Sequence, residues 1–195
     1  MFNGIIQGNG IIVESISHNN TFKIKTKLNL EECIVGSSIC CDGICLTIVE
    51  INYIDNYYIF SVNVSEETNI KTITKYWKKN NKINIEKSLK FNQEVSGHLI
   101  YGHVDYMSEL KKVDKLDNSW NMYFSYPSND NKKFIVKKGS ICINGISLTI
   151  AELFEENFSV SIIPYTYNQT NISNLKIKDK VNIEFDMIAR YVFNK

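Results

Sequence analysis

Short stretches of alternating apolar and polar residues recur along the chain. Segments such as "GIIVESI", "TFKIKTKL", "ICLTIVEI", "YYIFSVNV" and "KINIEKSL" are rich in Ile, Val, Tyr, Phe and Thr, the composition of pleated, half-buried strands. Gly, Asn and Asp separate them, as tight turns require. Prolines are confined to Pro127 and Pro164. Helical spacing is best in "NIKTITKYW" and in the tail "DMIARYVFNK". The pattern predicts an all-β protein. Many short strands leave exposed edges unless the sheet closes, so a closed barrel or a sandwich is expected.

The strand pattern occurs twice. "SICCDGICLTIVE" (38–50) matches "SICINGISLTIAE" (140–152) at nine of thirteen positions. "FSVNVSEET" (60–68) lies on "FSVSIIPYT" (158–166), and "KINIE" (82–86) on "KVNIE" (180–184). More weakly, "GIIQGN" (4–9) lies on "HLIYGH" (98–103). The order is the same in both halves, so a unit of about ninety residues is duplicated. Two copies of that size predict two domains and not a solenoid of many small repeats. The expected division is residues 1–90, residues 91–186 and a helix or tail over residues 187–195, with the join near 87–95.

Placed on a strand, "GICLTI" puts Ile44, Leu46 and Ile48 on one face and Gly43, Cys45 and Thr47 on the other. The second copy puts Ile146, Leu148 and Ile150 inward and Gly145, Ser147 and Thr149 outward. The outer face is small, polar and nearly flat, suited to a planar heterocycle with hydroxyl partners. In one copy an ordinary solvated strand face would look the same; its repetition weakens that reading. Cys40 and Cys142 count as inward, core thiols.

Composition narrows the function classes. With 195 residues, 44% apolar and 22% charged, the chain is that of an ordinary globular protein. A formal charge of +1 supplies no long-range field for nucleic acid or membrane, and neither partner is expected. The lysines of "KYWKKNNK" read as a solvated loop. No run of eighteen apolar residues occurs, and the N-terminus lacks the features of a secretory signal, so a cytoplasmic location is expected. Five cysteines, an odd number, fit reduced thiols better than a disulfide framework. Cys40, Cys41 and Cys45 have no CxxC spacing for zinc. His98 and His103, five apart, fall on opposite faces of a strand; either one is open as a proton shuttle. No phosphate-cradling loop, dinucleotide fingerprint or nucleophile elbow is present.

The start "MFNGII", the pair "DGICLT" and "NGISLT", the segment "SGHLIYGH" and the ending "NIEFDMIARYV" resemble riboflavin synthase of the trimeric, α-chain type, in collinear order over essentially the whole chain. The resemblance implies two similar six-stranded Greek-key β-barrels with a short C-terminal helix, assembled as a homotrimer. It implies dismutation of two 6,7-dimethyl-8-ribityllumazine molecules: a four-carbon unit passes from one to the other, giving riboflavin and 5-amino-6-ribitylamino-pyrimidinedione. It implies no metal and no redox cofactor, and makes lumazine synthase a candidate partner. The family's site lies between the N-terminal barrel of one subunit and the C-terminal barrel of a neighbour.

By position, the family's N-side contacts carry over to Gly4, Ile5, Ile6, Ser38, Cys45, Leu46, Thr47, Asn63, Val64, Ser65, Glu66, Glu67 and Thr68. The C-side contacts carry over to Gly102, His103, Val104, Lys138, Ser147, Leu148, Thr149, Ser161, Ile162, Ile163, Pro164, Tyr165 and Thr166. His103 and Ser147 are the first candidates for proton transfer and activation, with Cys45 and Thr149 behind them. Phe2 and Asp186 match functionally sensitive positions. Departures from the family pattern are Asn3 where Thr is usual, Asp42 where Asn is common, Tyr165 where Glu or His is expected, and a tail of nine residues after Asp186. Fluorescent lumazine-binding antenna proteins resemble the same family. Both half-motifs, His103 and Lys138 are present here, which favours the enzyme. A plain flavin-binding barrel serving a separate redox domain fits the length poorly.

Overall fold

A computed structural model describes residues 1–16, 20–127 and 129–193. The first closed barrel contains β1 (Gly8–Ile16), β2 (Thr21–Thr26), β3 (Ser38–Cys41), β4 (Ile44–Ile54), β5 (Tyr57–Asn63) and β6 (Lys82–Lys87), in the order β1-β2-β5-β4-β3-β6. The second contains β7 (Tyr106–Lys115), β8 (Trp120–Ser125), β9 (Ser140–Ile143), β10 (Ile146–Leu153), β11 (Asn157–Ile162) and β12 (Lys180–Phe185). Read from β7 its order is β7-β8-β11-β10-β9-β12, the same Greek-key path. Of the barrel and sandwich that the strand pattern allowed, the chain forms two closed six-stranded barrels, which leave no free edge.

Alternation fills both interiors. Ile12, Ile24, Ile39, Ile48 and Phe60 are fully buried in the first barrel, and Leu110, Phe124, Phe158, Val160 and Ile183 in the second. Each such side chain contributes roughly 1.5–3 kcal/mol. Register shifts at Ile48/Glu50 on β4 and at Ile150/Glu152 on β10 fall at the same step of the repeat. They mark bulges that bend the two strands alike.

Of the two expected helical stretches, the first contains the end of α1 (Glu66–Lys71) and a 3-10 turn, Ile73–Tyr76. The tail forms α3 (Met187–Phe193); its last two residues lie outside the described set. Sequence periodicity misses α2 (Pro164–Gln169), the counterpart of α1. Six residues show no apolar stripe, and Ile163 supplies no side-chain cap; Pro164, free to start a helix, is the one local signal.

The barrels meet along a pseudo-twofold seam. Phe2 and Ile100 pair antiparallel, with N···O distances of 2.7 and 3.0 Å, and are buried together with Cys40 and Cys142. The thiols are therefore buried as expected but face the seam, not the barrel cores. Cys40 pairs with Cys45, and Cys142 with Ser147; cross-strand partners share a face, and Cys45 and Ser147 point outward. Two tight turns, Asp42-Gly43 and Asn144-Gly145, touch across the seam with left-handed backbone at all four residues. A Cβ on Gly43 would lie 2.7 Å from the backbone nitrogen of Gly145, so glycine is required by both φ and proximity. Around the turns, Asn84 donates to the Asn144 carbonyl (2.9 Å), Asn182 to the Asp42 carbonyl (2.8 Å), and Asn171 to Asp42 Oδ1 (2.8 Å). Every one of these groups is buried, so each bond resists separation of the barrels.

Candidate active site

The repeated strands β4 and β10 each begin just after a seam turn, presenting Cys45 and Thr47 on one and Ser147 and Thr149 on the other. Cys45 and Ser147 are half-buried, and Thr47 and Thr149 are exposed. Each strand is completed by a segment from elsewhere. The Cys45 N–H donates to the Gly102 carbonyl, and the Ser147 N–H to the Gly4 carbonyl, both at 2.9 Å. Gly4 and Gly102 have φ of +76° and +77°. A Cβ on Gly4 would meet Ser147, and one on Gly102 would meet Cys45, at 2.5 Å; only glycine allows this approach.

This geometry corrects two readings of the sequence. Gly4 corresponds to Gly102, so residues 4–9 do not match 98–103; the weak alignment is out of step. The N-side and C-side sets also exchange members. Gly4 and Ile6 belong with Ser147 in the second barrel, and Ile6 packs on its core. Gly102 and Val104 belong with Cys45 in the first barrel, and Val104 packs on that core. Sequence order could not reveal this crossing, because both segments leave their own barrel to reach the other.

His103 lies in the segment beside Cys45, exposed, its ring 6.1 Å from that of Tyr101. The histidine that meets Ser147 is His98, with Nδ1 2.7 Å from Oγ. Burial holds the His98 pKa below its ordinary 6.5, with the Asp186 carboxylate opposing. A neutral imidazole next to a hydroxyl is the arrangement of a base with its proton donor. His98 Nε2 is buried without a protein partner among the described residues. The sequence left either histidine open as a proton shuttle, and the family resemblance put His103 first; nothing local distinguished His98.

The other candidates fall into three groups. Ile5, Asn63, Ser65, Glu66, Glu67, Lys138, Ser161, Ile163, Pro164 and Tyr165 are exposed, while Ser38, Thr68 and Thr166 are half-buried. Leu46, Val64 and Ile162 have side chains buried in the barrel cores, and Leu148 packs against the second core, which leaves backbone for contact. Phe2 is in the seam, and Asp186 caps α3 through Oδ1 and the Ile188 N–H (2.9 Å). Lys138, φ +65°, stands where the first repeat has Gly36, φ +95°. Lys178, outside the candidate set, has a similar left-handed backbone, with φ +79°. A cavity of about 610 Å³ on the seam, lined by Asp42, Trp77, Lys82, Asn144, Asn171 and Lys180, contains none of these candidates. The candidate surface is two half-sites, one on each barrel, and Ser38 also lines a cavity of about 350 Å³ with Cys33, Lys87 and Lys90.

Residues 3–88 and 101–186 each match the family model described as "Lumazine binding domain". Riboflavin synthase of Bacillus subtilis (strain 168) is 36% identical, over 99% of this chain and 88% of that protein. Riboflavin synthase of Brucella abortus (strain 2308) is 35% identical, over 98% of this chain and 96% of that protein.

The chain belongs to the riboflavin synthase family.

Its barrels also superpose on the solved structure of LumP complexed with 6,7-dimethyl-8-(1'-D-ribityl)lumazine, with a TM-score of 0.81 at 23% identity, over 95% of this chain and 99% of that one. That similarity establishes the common two-barrel fold. Among the departures from the riboflavin synthase pattern, Asn3 is buried and donates to the Glu94 carbonyl (3.3 Å), and Tyr165 is 72% exposed on α2. Asp42 is buried at the seam, where desolvation raises its pKa to about 7 against the hydrogen bonds of Asn84, Trp77 and Asn171.

Proposed function

We propose that this protein is a riboflavin synthase, joining two 6,7-dimethyl-8-ribityllumazine molecules by four-carbon transfer to give riboflavin and 5-amino-6-ribitylamino-pyrimidinedione, the final step of riboflavin biosynthesis. The single observation that carries this reading is the pair of equivalent half-sites with unequal chemistry: Cys45 beside Gly102, and Ser147 beside Gly4 and His98. Two identical substrates with opposite roles call for two similar seats and one distinct proton-transfer group. Fixing both molecules can remove about 7–11 kcal/mol of the barrier at best. The 7-methyl protons of the substrate are acidic, so neutral His98 acting through or with Ser147 suffices to begin the reaction. His103, Cys45 and Thr149 then contact or orient substrate. The transfer conserves atoms between the two products and needs no external oxidant.

In this reading residues 1–90 and 91–186 are the two lumazine-binding barrels, and residues 187–195 the assembly tail. Each half-site is open on one chain, which supports closure by a neighbour in a homotrimer. Apolar side chains of α3 remain uncovered, with Ile188 72% and Tyr191 80% exposed. Free thiols at Cys33, Cys40, Cys41, Cys45 and Cys142 support a cytoplasmic location. No helix among the described residues is long and apolar enough to cross a membrane. Incubation with 6,7-dimethyl-8-ribityllumazine alone tests the proposal. Riboflavin should appear at half the rate of lumazine loss; tight binding without conversion would indicate a light-emission or storage protein instead.

A further inference from the structure

The repeats share one more motif, the glutamate that ends "KINIE" and "KVNIE". Glu86 on β6 and Glu184 on β12 are 2% and 3% exposed. Backbone N–H groups are their partners. Glu86 accepts from Asn3 through Oε1 (2.8 Å) and from Gly4 through Oε2 (3.0 Å). Glu184 accepts from Tyr101 through Oε1 (2.7 Å), and from Gly102 (2.8 Å) and His103 (2.9 Å) through Oε2. These are the two segments that leave one barrel to complete the half-site on the other. Glu86 belongs to the first barrel, yet the segment it grips delivers the Gly4 carbonyl to Ser147 in the second. Glu184 belongs to the second barrel, and its segment delivers the Gly102 carbonyl to Cys45 in the first.

We propose that Glu86 and Glu184 are crossed positioning residues, each fixing the half-site of the barrel to which it does not belong. A carboxylate suits this task because both oxygens accept and the oxygens of one group can hold consecutive N–H groups. Glutamine has one acceptor oxygen, and its amide donors would oppose a backbone N–H. The crossing ties the geometry of each seat to the opposite barrel, so both seats form only when the two barrels are docked.

The test uses the full chain, Glu184→Gln and Glu86→Gln, and iodoacetamide, with labelling read at each cysteine by peptide mass spectrometry. Loss of the Glu184 grip should free the segment over Cys45, raising its labelling rate by about ten-fold or more as local opening becomes easier. Glu86→Gln, although in the same barrel as Cys45, should leave that rate within about two-fold. Cys33, half-buried in the first barrel, reports general loosening and should not change in either variant. Faster Cys45 labelling in Glu86→Gln but not in Glu184→Gln, or equal effects of both, would overturn the proposal. If a variant does not fold, amide exchange of the unaltered protein decides. The N–H groups of Gly4, Tyr101, Gly102 and His103 should be protected, and exchange at the rate of an unstructured chain would refute the grip. A second readout, a fall in kcat larger than the rise in KM for both variants, rests on the proposed synthase activity. Thiol labelling and amide exchange do not, so failure of the one reading is distinguishable from failure of the other.

Discussion

Replacing Asp42 with asparagine should stabilise the protein at pH 8 and lose that advantage near pH 5. Asp42 is buried at the seam with its pKa raised from 3.8 to about 7, chiefly by desolvation. Its Oδ1 accepts from the Asn84 N–H and the Asn171 side chain, both at 2.8 Å, and its Oδ2 from the Trp77 indole at 3.3 Å. The second repeat already has an amide here: Asn144 Oδ1 accepts the Asn182 N–H at 2.8 Å. Between pH 3.8 and about 7 the native carboxyl keeps its proton while the unfolded one has lost it. The wild-type protein therefore loses stability as pH rises through that window, and the loss is complete above it. A shift of about three units corresponds to roughly 4 kcal/mol at pH 8. Asparagine removes that cost but turns an N–H₂ toward the indole N–H, which costs about 1–3 kcal/mol. The net gain at pH 8 is about 1–3 kcal/mol, or roughly 2–12 °C in Tm for a chain of this size. Thermal unfolding at one protein concentration, at pH 5 and pH 8, measures it. An equal Tm difference at both pH values, or a less stable variant at pH 8, would refute the reasoning.

Four further outcomes follow. Ser147→Ala should lower turnover by about 10²-fold or more; a change of only a few-fold would remove Ser147 from the chemistry. In the unaltered protein, activity should fall on the acid side as His98 gains a proton, with a midpoint below 6.5 because burial lowers its pKa; kcat against pH reads it. Gly4→Ala places a Cβ 2.6 Å from the Ser147 backbone nitrogen at a φ of +76°, which should cost about 1–3 kcal/mol, visible as a lower Tm together with lower turnover. Removal of the residues after Asp186 takes away the exposed apolar face of α3 and should convert the proposed trimer into an inactive monomer on size exclusion; an active monomer would contradict that proposal.

Local rules reached far in this chain. Alternation identified the barrel strands, and the duplicated segments identified two like units. What escaped was long-range. The crossing of Gly4 to Ser147 and of Gly102 to Cys45 depends on how two finished barrels dock, and no local preference encodes it. The same docking brings His98 to Ser147, whereas motif position favoured His103. The inward assignment of Cys40 failed for a different reason. Its own hairpin, with Cys45 directly opposite on the outer face, held the answer. The short helix α2 has too few residues for a periodic stripe, so Pro164 alone could announce it.

Isotope mixing tests the central claim, that two lumazine molecules meet in paired seats. Equal amounts of unlabelled 6,7-dimethyl-8-ribityllumazine and lumazine carrying carbon-13 in both methyl groups are incubated with the protein, and the riboflavin is weighed by mass spectrometry. In the dismutation the donor gives up four carbons and the acceptor keeps its own four, both methyl carbons of each molecule ending in riboflavin. It predicts unlabelled, doubly labelled and fourfold-labelled riboflavin in a ratio of about one to two to one. Riboflavin without the mixed species, or no riboflavin from a protein that binds lumazine, would contradict it.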